Sequence, residues 1–204
     1  MLITQLLERV WIVADSHLGH GHIVQYANRP FANVDDMDRA LITAWNAVVR
    51  PDDWVYHLGD FTLGDIATAR KYFAQLNGLI NVLYNPWHHD KHWLDKRQIG
   101  VQHDLCSKHY PITLVLPIEV LEVPALAING RAMPIILCHY PFARWNRSHY
   151  GSYHLFGHCH NKYHPLNLSM DVGVDAAYRL LGAYQPFSLA EIARVMQARA
   201  AKLL

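Results

Sequence analysis

The chain has 204 residues, of which 51% are hydrophobic and 17% charged, with a formal net charge of +1 at pH 7. That length buries a core without disulfide or metal staples, the composition is that of a globular chain, and the near-zero charge argues against an extended nucleic-acid footprint. No apolar run reaches the roughly 18 residues of a membrane span. The segment after Met1 has no basic n-region and is interrupted by Glu8 and Arg9, so it does not read as a signal peptide. Three cysteines without a CxxC spacing form no disulfide framework and fit a reducing cytoplasm. The anomaly is histidine, with 15 residues, several of them beside Asp, Gly or Cys.

Without internal repeats or Gly/Ser linkers, residues 1–204 read as a single domain of alternating β and α segments. Val10 to Ala14 is a short apolar run ending at Asp15, the pattern of a buried strand. Asn33, with Asp36 three residues on, caps a helix whose Val34, Met37, Leu41, Trp45 and Val48 recur at spacings of three and four; Pro51 ends it. Trp54 to His57 is a second strand leading into Leu58-Gly59-Asp60. Ile66, Ala69, Tyr72, Phe73 and Leu76 mark a second amphipathic helix, with Gly78 as its stop, and Leu79 to Tyr84 is a third strand. Strands follow at Ile112 to Leu116, Glu119 to Val123, Leu126 to Asn129 and Ile135 to Cys138. Asn129-Gly130 is a hairpin turn between the last two. His154 to Phe156 and Ser169 to Val174 are further strands. Ser188 with Glu191 opens a terminal helix to about Lys202. This order predicts an α/β sandwich of two mixed sheets with helices outside.

The chemistry sits at the strand ends. Asp15-Ser16-His17 follows the first strand, and in an extended segment its Asp and His point to one side. Gly59-Asp60 follows the second strand, Trp87-His88-His89-Asp90 the third. Cys138-His139-Tyr140-Pro141 and Gly157-His158-Cys159-His160 follow two more. Any one of these residues is more often a satisfied core or turn residue than a ligand. Five strand ends in a row, each delivering Asp or His, form a joint pattern that chance does not readily produce. A His and carboxylate set suits Mn, Fe, Zn, Ni or Co rather than a thiolate zinc site. It is too large for one ion, so two ions sharing a carboxylate are expected, the usual arrangement for phosphoryl displacement.

In this order the motifs resemble the calcineurin-like metallophosphoesterases, specifically a small single-domain subgroup of bacteria and phages. The similarity runs from Val10 to about Phe187 and is densest at Asp15 to Phe31, Tyr56 to Phe61, Cys138 to Trp145 and Gly151 to His160. It implies a four-layer αββα sandwich with two mixed β-sheets, two divalent transition-metal ions (Mn first; Fe, Ni, Zn or Co as alternatives) and hydrolysis of a phosphodiester or phosphomonoester. By that resemblance Asp15, His17 and His160 hold the first metal, Asp60 bridges, and His139 and His158 hold the second. Where the family reads Gly-Asn-His-Asp/Glu, this chain reads Asn85-Pro86-Trp87-His88-His89-Asp90. Ungapped alignment from Asp90 makes His88 the metal ligand, His89 the catalytic imidazole and Asp90 the group that orients it. The alternative keeps Asn85 as ligand and treats Pro86-Trp87 as an insertion.

His20, Arg29 and Arg144 are candidate substrate contacts near these motifs, each about as readily explained as a structural loop residue. Cys138 and Cys159 read as small packing residues. The expected partner is a phosphoester, with neither a membrane nor an extended nucleic acid. A metal-binding scaffold on the same fold is the alternative to an enzyme; the near-complete ligand set favours catalysis.

Overall fold

The computed structural model describes residues 7–128 and 131–202. Two mixed sheets form the centre of an α/β sandwich. The first has strand order β10-β1-β2-β3-β5-β4. Its members are β1 (Val10–Val13), β2 (Trp54–His57), β3 (Leu79–Leu83), β4 (Gln102–Cys106), β5 (Pro111–Val115) and β10 (Phe187–Ser188). Strands β1, β2, β3 and β5 run parallel, while β10 and β4 are antiparallel edges. The second sheet has order β6-β7-β8-β9, comprising β6 (Ile118–Ile128), β7 (Arg131–Cys138), β8 (Tyr153–Phe156) and β9 (Ser169–Asp171). Its last three strands are parallel and β6 is antiparallel to β7.

Strand alternation builds two cores. Trp11 and Val13 of β1 face α2 (Val34–Val48) and α3 (Ile66–Phe73), joining Met37, Leu41, Trp45, Tyr72 and Phe73. Ile12 and Ala14 face the other way. They join Ile135, Leu137 and Leu155 of the second sheet and Leu189, Ile192 and Met196 of α5 (Leu189–Ala200). Both ends of this scheme are fixed by local chemistry. The Asn33 side chain accepts the Asp36 N–H at 2.9 Å, and Asp35 and Asp36 place negative charge on the first turn of α2. Ser188 and Glu191 form a reciprocal capping box on α5.

Several expectations are corrected. Helix α3 ends at Phe73, so Gly78 is not its stop. Gly78 has φ +107°, and a Cβ there would lie 3.1 Å from the Asp53 carbonyl oxygen, so glycine is needed to turn the chain into β3. The two strands expected over Glu119 to Val123 and Leu126 to Asn129 are one, β6. The Asn129-Gly130 turn lies outside the described residues. Ser169 to Val174 is not all strand: Val174 begins α4 (Val174–Leu181). Strand β4 and the short helix α1 (Gly21–Tyr26) were not anticipated, because neither carries a distinct apolar period. Among the described residues no helix is long and apolar enough to cross a membrane.

The C-terminal ends of the parallel strands in both sheets open on one side. A parallel bridge between Ala14 and Gly173 joins the sheets there. Crevices outside strand C-termini are where α/β sheets place ligands.

Candidate metal centre

The loop after β1 is zipped to the loop after β2. Asp15 N–H donates to the Gly59 carbonyl at 3.1 Å, and His17 N–H to that of Asp60 at 2.9 Å. These loops are not extended. Asp15, His17, Asp60, His158 and His160 all have positive φ, between 44° and 68°. The sequence argument from extended i and i+2 geometry is therefore corrected: turns, not pleats, aim Asp15 with His17 and His158 with His160. Left-handed backbone at non-glycine residues costs roughly 1–3 kcal/mol each, and such strain collects at functional sites.

The side chains converge. Asp15, His17 and His160 present ligand atoms within 4.8 Å of one another, as do His17, Asp60 and His89, and Asp60, His139 and His158. Asp60 Oδ2 lies 3.5 Å from His17 Nε2 and 3.5 Å from His139 Nε2. Both ring nitrogens of His17 and of His139 are buried without a hydrogen-bond partner. Buried polar atoms are normally paired, so one nitrogen of each ring fits a cation ligand.

The charge balance points the same way. Asp15, Asp60, Asp171 and Asp175 are buried here, against Arg29, the one buried guanidinium or ammonium among the described residues. Burial, then the neighbouring Asp171 and Asp60 carboxylates, pushes the Asp15 carboxyl well above its usual range. Burial also opposes ionisation of Asp60, but the adjacent imidazoles of His139 and His17, with the His89 N–H, hold it well below that range. Burial drives His17 well below the usual imidazole value, which keeps it neutral and fit to bind a cation. Uncompensated buried carboxylates are costly, and divalent cations would balance them.

A second layer of contacts fixes the ligands. His160 Nδ1 lies 2.8 Å from Asp175 Oδ2, leaving Nε2 for a cation. Arg29 grips both Asp175 oxygens at 2.9 Å and donates to the Asp15 and Ser16 carbonyls. His158 N–H donates to the Asp15 carboxylate, and Asp171 accepts the N–H groups of Asn161 and Gly173. Glycine is required at two points: a Cβ on Gly157 would stand 2.8 Å from Asp15 Oδ2, and one on Gly173 2.6 Å from it.

The structure brings together Asp15, His17, Asp60, His89, His139, His158 and His160. His88 is beside them, its ring 5.2 Å from that of His139, but it joins none of the three groups. Its Nδ1 accepts the Asp90 N–H at 3.2 Å, and its Nε2 faces the Leu83 carbonyl at 3.4 Å. Asp90 does not orient His89. It accepts the N–H groups of Phe61 and Thr62 and the Trp93 indole N–H, holding the loop after Asp60. His89 instead donates its backbone N–H to Asp60 Oδ1 at 3.0 Å and leaves its ring exposed. His20 stands by, 5.6 Å from His17 and 6.1 Å from His89 between ring centres. Arg29 is corrected from substrate contact to structural residue, since its donors are used inside the protein. Arg144 is exposed and lies outside the cavity. The sequence did not single out His57, Asp171 or Asp175. An acid on the first turn of a helix, as Asp175 is, looks like ordinary dipole complementation.

The centre opens into a cavity of about 270 Å³ walled by Asp60, His88, His89, His139, His158 and His160, with Trp87 and Tyr140 beside them. A larger hollow of about 410 Å³ lies near the opposite strand ends, among Val10, Trp54, Tyr56 and β6. It gathers two glutamates and no imidazole, so the chemistry belongs to the smaller cavity.

Fold and site define an α/β protein with a candidate two-cation centre at its strand ends. No family model matches the sequence. The uncharacterized protein MJ1445 of Methanocaldococcus jannaschii is 39% identical over 87 residues, which is 42% of this chain and 48% of that protein; the match thus spans about half the length of that relative. The gene 66 protein of Mycobacterium phage L5 is 24% identical over 204 residues, covering 90% of this chain and 94% of its own. A crystal structure of the protein of unknown function AQ665 from Aquifex aeolicus superposes with a TM-score of 0.59 and 19% identity, covering 91% of this chain and 98% of the other. That likeness supports the shared fold.

Proposed function

We propose that the protein is a metal-dependent phosphoesterase, built as a four-layer metallophosphoesterase-like sandwich, that hydrolyses a phosphomonoester or phosphodiester. The observation that carries this reading is Asp60 Oδ2, placed 3.5 Å from two buried imidazoles that have no other partner. Asp15, His17 and His160 would hold one cation, His139 and His158 the other, and Asp60 would serve both. Two divalent cations so held supply Lewis acidity toward phosphate oxygens and an activated water near neutral pH.

The chain's own residues do the rest. His89 is exposed beside the cavity, tethered through its backbone to Asp60, where its imidazole can donate a proton to the leaving oxygen. The Arg29–Asp175 pair fixes His160 and the loop carrying Asp15 at once, so the ligands are preorganised before substrate arrives. The cavity of about 270 Å³ has room for a phosphoryl group beside these ligands.

The test is hydrolysis of a panel of aryl, nucleoside and cyclic phosphates by protein reconstituted with Mn. The reading expects turnover that a chelator abolishes and Mn restores. Protein holding both cations that hydrolyses no ester in the panel would refute it and favour a metal-binding scaffold.

A further inference from the structure

Trp87 has the largest exposure of the large apolar side chains among the described residues, at 81%. Yet it lines the cavity that holds Asp60, His89 and His139. The chain holds it there on purpose-built backbone: Pro86 precedes it, and its N–H donates to the Asn85 side-chain oxygen at 2.9 Å, closing a tight turn. Asn85 itself is buried, so the turn is anchored while the indole projects. The other aromatic residue of the cavity, Tyr140, is committed to edge contacts with His139 and His158, at 4.9 and 4.8 Å between ring centres. Trp87 makes no such ring contact with any described residue.

An open indole lining the cavity is a stacking platform without its partner. A cavity of about 270 Å³ lies at the low end of ligand pockets. A phosphoryl group against Asp60 and His139 leaves room for part of the ester's organic group beside the indole, which lines the same cavity. Resting on the phosphoesterase reading above, we propose that Trp87 is a specificity-determining residue that selects phosphoesters whose organic group is a flat aromatic ring. The ring is that of a nucleoside or a simple aryl ester, with stacking on the indole as the shared chemistry. The ligand proposed is a single small ester, in keeping with a net charge of +1.

The test is calorimetric binding of slowly hydrolysed thiophosphates to Mn-loaded protein: inorganic thiophosphate, and its glycerol, phenyl and adenosine esters. The phenyl and adenosine esters should bind about tenfold more tightly than the glycerol ester, within the range of base–aromatic stacking. Trp87→Ala should reduce that ratio to below twofold, and Trp87→Phe should keep most of it. Equal preference for phenyl and adenosine esters assigns a general aryl site; a further preference for adenosine, lost in Trp87→Ala, assigns a nucleoside site, and both support stacking. A ratio near one in the unaltered protein, or one that Trp87→Ala leaves intact, overturns the role of Trp87 and leaves the phosphoesterase reading standing. Failure of every probe, inorganic thiophosphate included, to bind metal-loaded protein overturns both.

Discussion

Asp60 and His139 approach through Oδ2 and Nε2 at 3.5 Å, and the same oxygen is 3.5 Å from His17 on the other side. One carboxylate oxygen between two imidazoles is the geometry of a shared ligand. Asp60→Asn keeps the shape and the His89 N–H contact but removes the charge. We expect apparent Mn affinity and turnover to fall on the order of 100-fold or more, a larger loss than outer-shell changes give. Thermal unfolding in chelator should move little. Metal titration beside a melting curve checks both halves.

The His160–Asp175–Arg29 chain makes a different demand. Asp175→Asn should weaken metal binding by about 10–100-fold, because His160 loses the partner that fixes its ring. Arg29→Met should instead cost about 3–5 kcal/mol of stability, since it strips a buried carboxylate of its cation. The double variant Arg29→Met with Asp175→Asn should recover part of that stability but not the affinity. Urea unfolding of the three variants in chelator provides the comparison.

Gly173 offers a steric probe. Its φ of −61° suits any residue, so alanine introduces no backbone strain. Its Cβ would nevertheless stand 2.6 Å from Asp15 Oδ2 and 3.0 Å from Asp171 Oδ1. Gly173→Ala should cost about 1–3 kcal/mol, as overpacking does, and should displace the Asp15 carboxylate. Metal affinity should fall while helix content by circular dichroism stays the same.

The strand ends were legible because Asp, His and Gly at the close of apolar runs have few other uses in such numbers. The reason they converge was not. Asp15, His17, Asp60, His158 and His160 adopt left-handed turns that non-glycine residues do not advertise. Arg29 and Asp175 are 146 positions apart, so their pairing has no local signature. Asp90 was misplaced because its chemical role, accepting N–H groups from residues 61 and 62, depends on a loop from another strand. Register was read best where caps are local, as at Asn33 and Ser188.

Acid should destabilise the metal-free protein through its buried imidazoles. His57 is fully buried, with Nε2 2.9 Å from Ser16 Oγ and Nδ1 accepting the Gly59 N–H. Burial, then the neighbouring His88, lowers its value from 6.5 to about 3. Between those values the unfolded chain binds a proton that the folded protein refuses, so stability falls as pH drops below about 6.5 and continues to fall to about 3. Each such group removes about 1.4 kcal/mol per pH unit inside the window. Unfolding free energies in chelator at pH 7, 6 and 5 should decline, and His57→Gln should flatten the slope by one group's share. A slope identical to that of the unaltered protein would count against the assignment.

The most direct measurement is the metal content of the chain after reconstitution with excess Mn and removal of free ion. Two Mn per chain, falling to one or fewer in Asp60→Asn, is the predicted result. One or none in the unaltered protein at saturation would contradict a centre shared through Asp60.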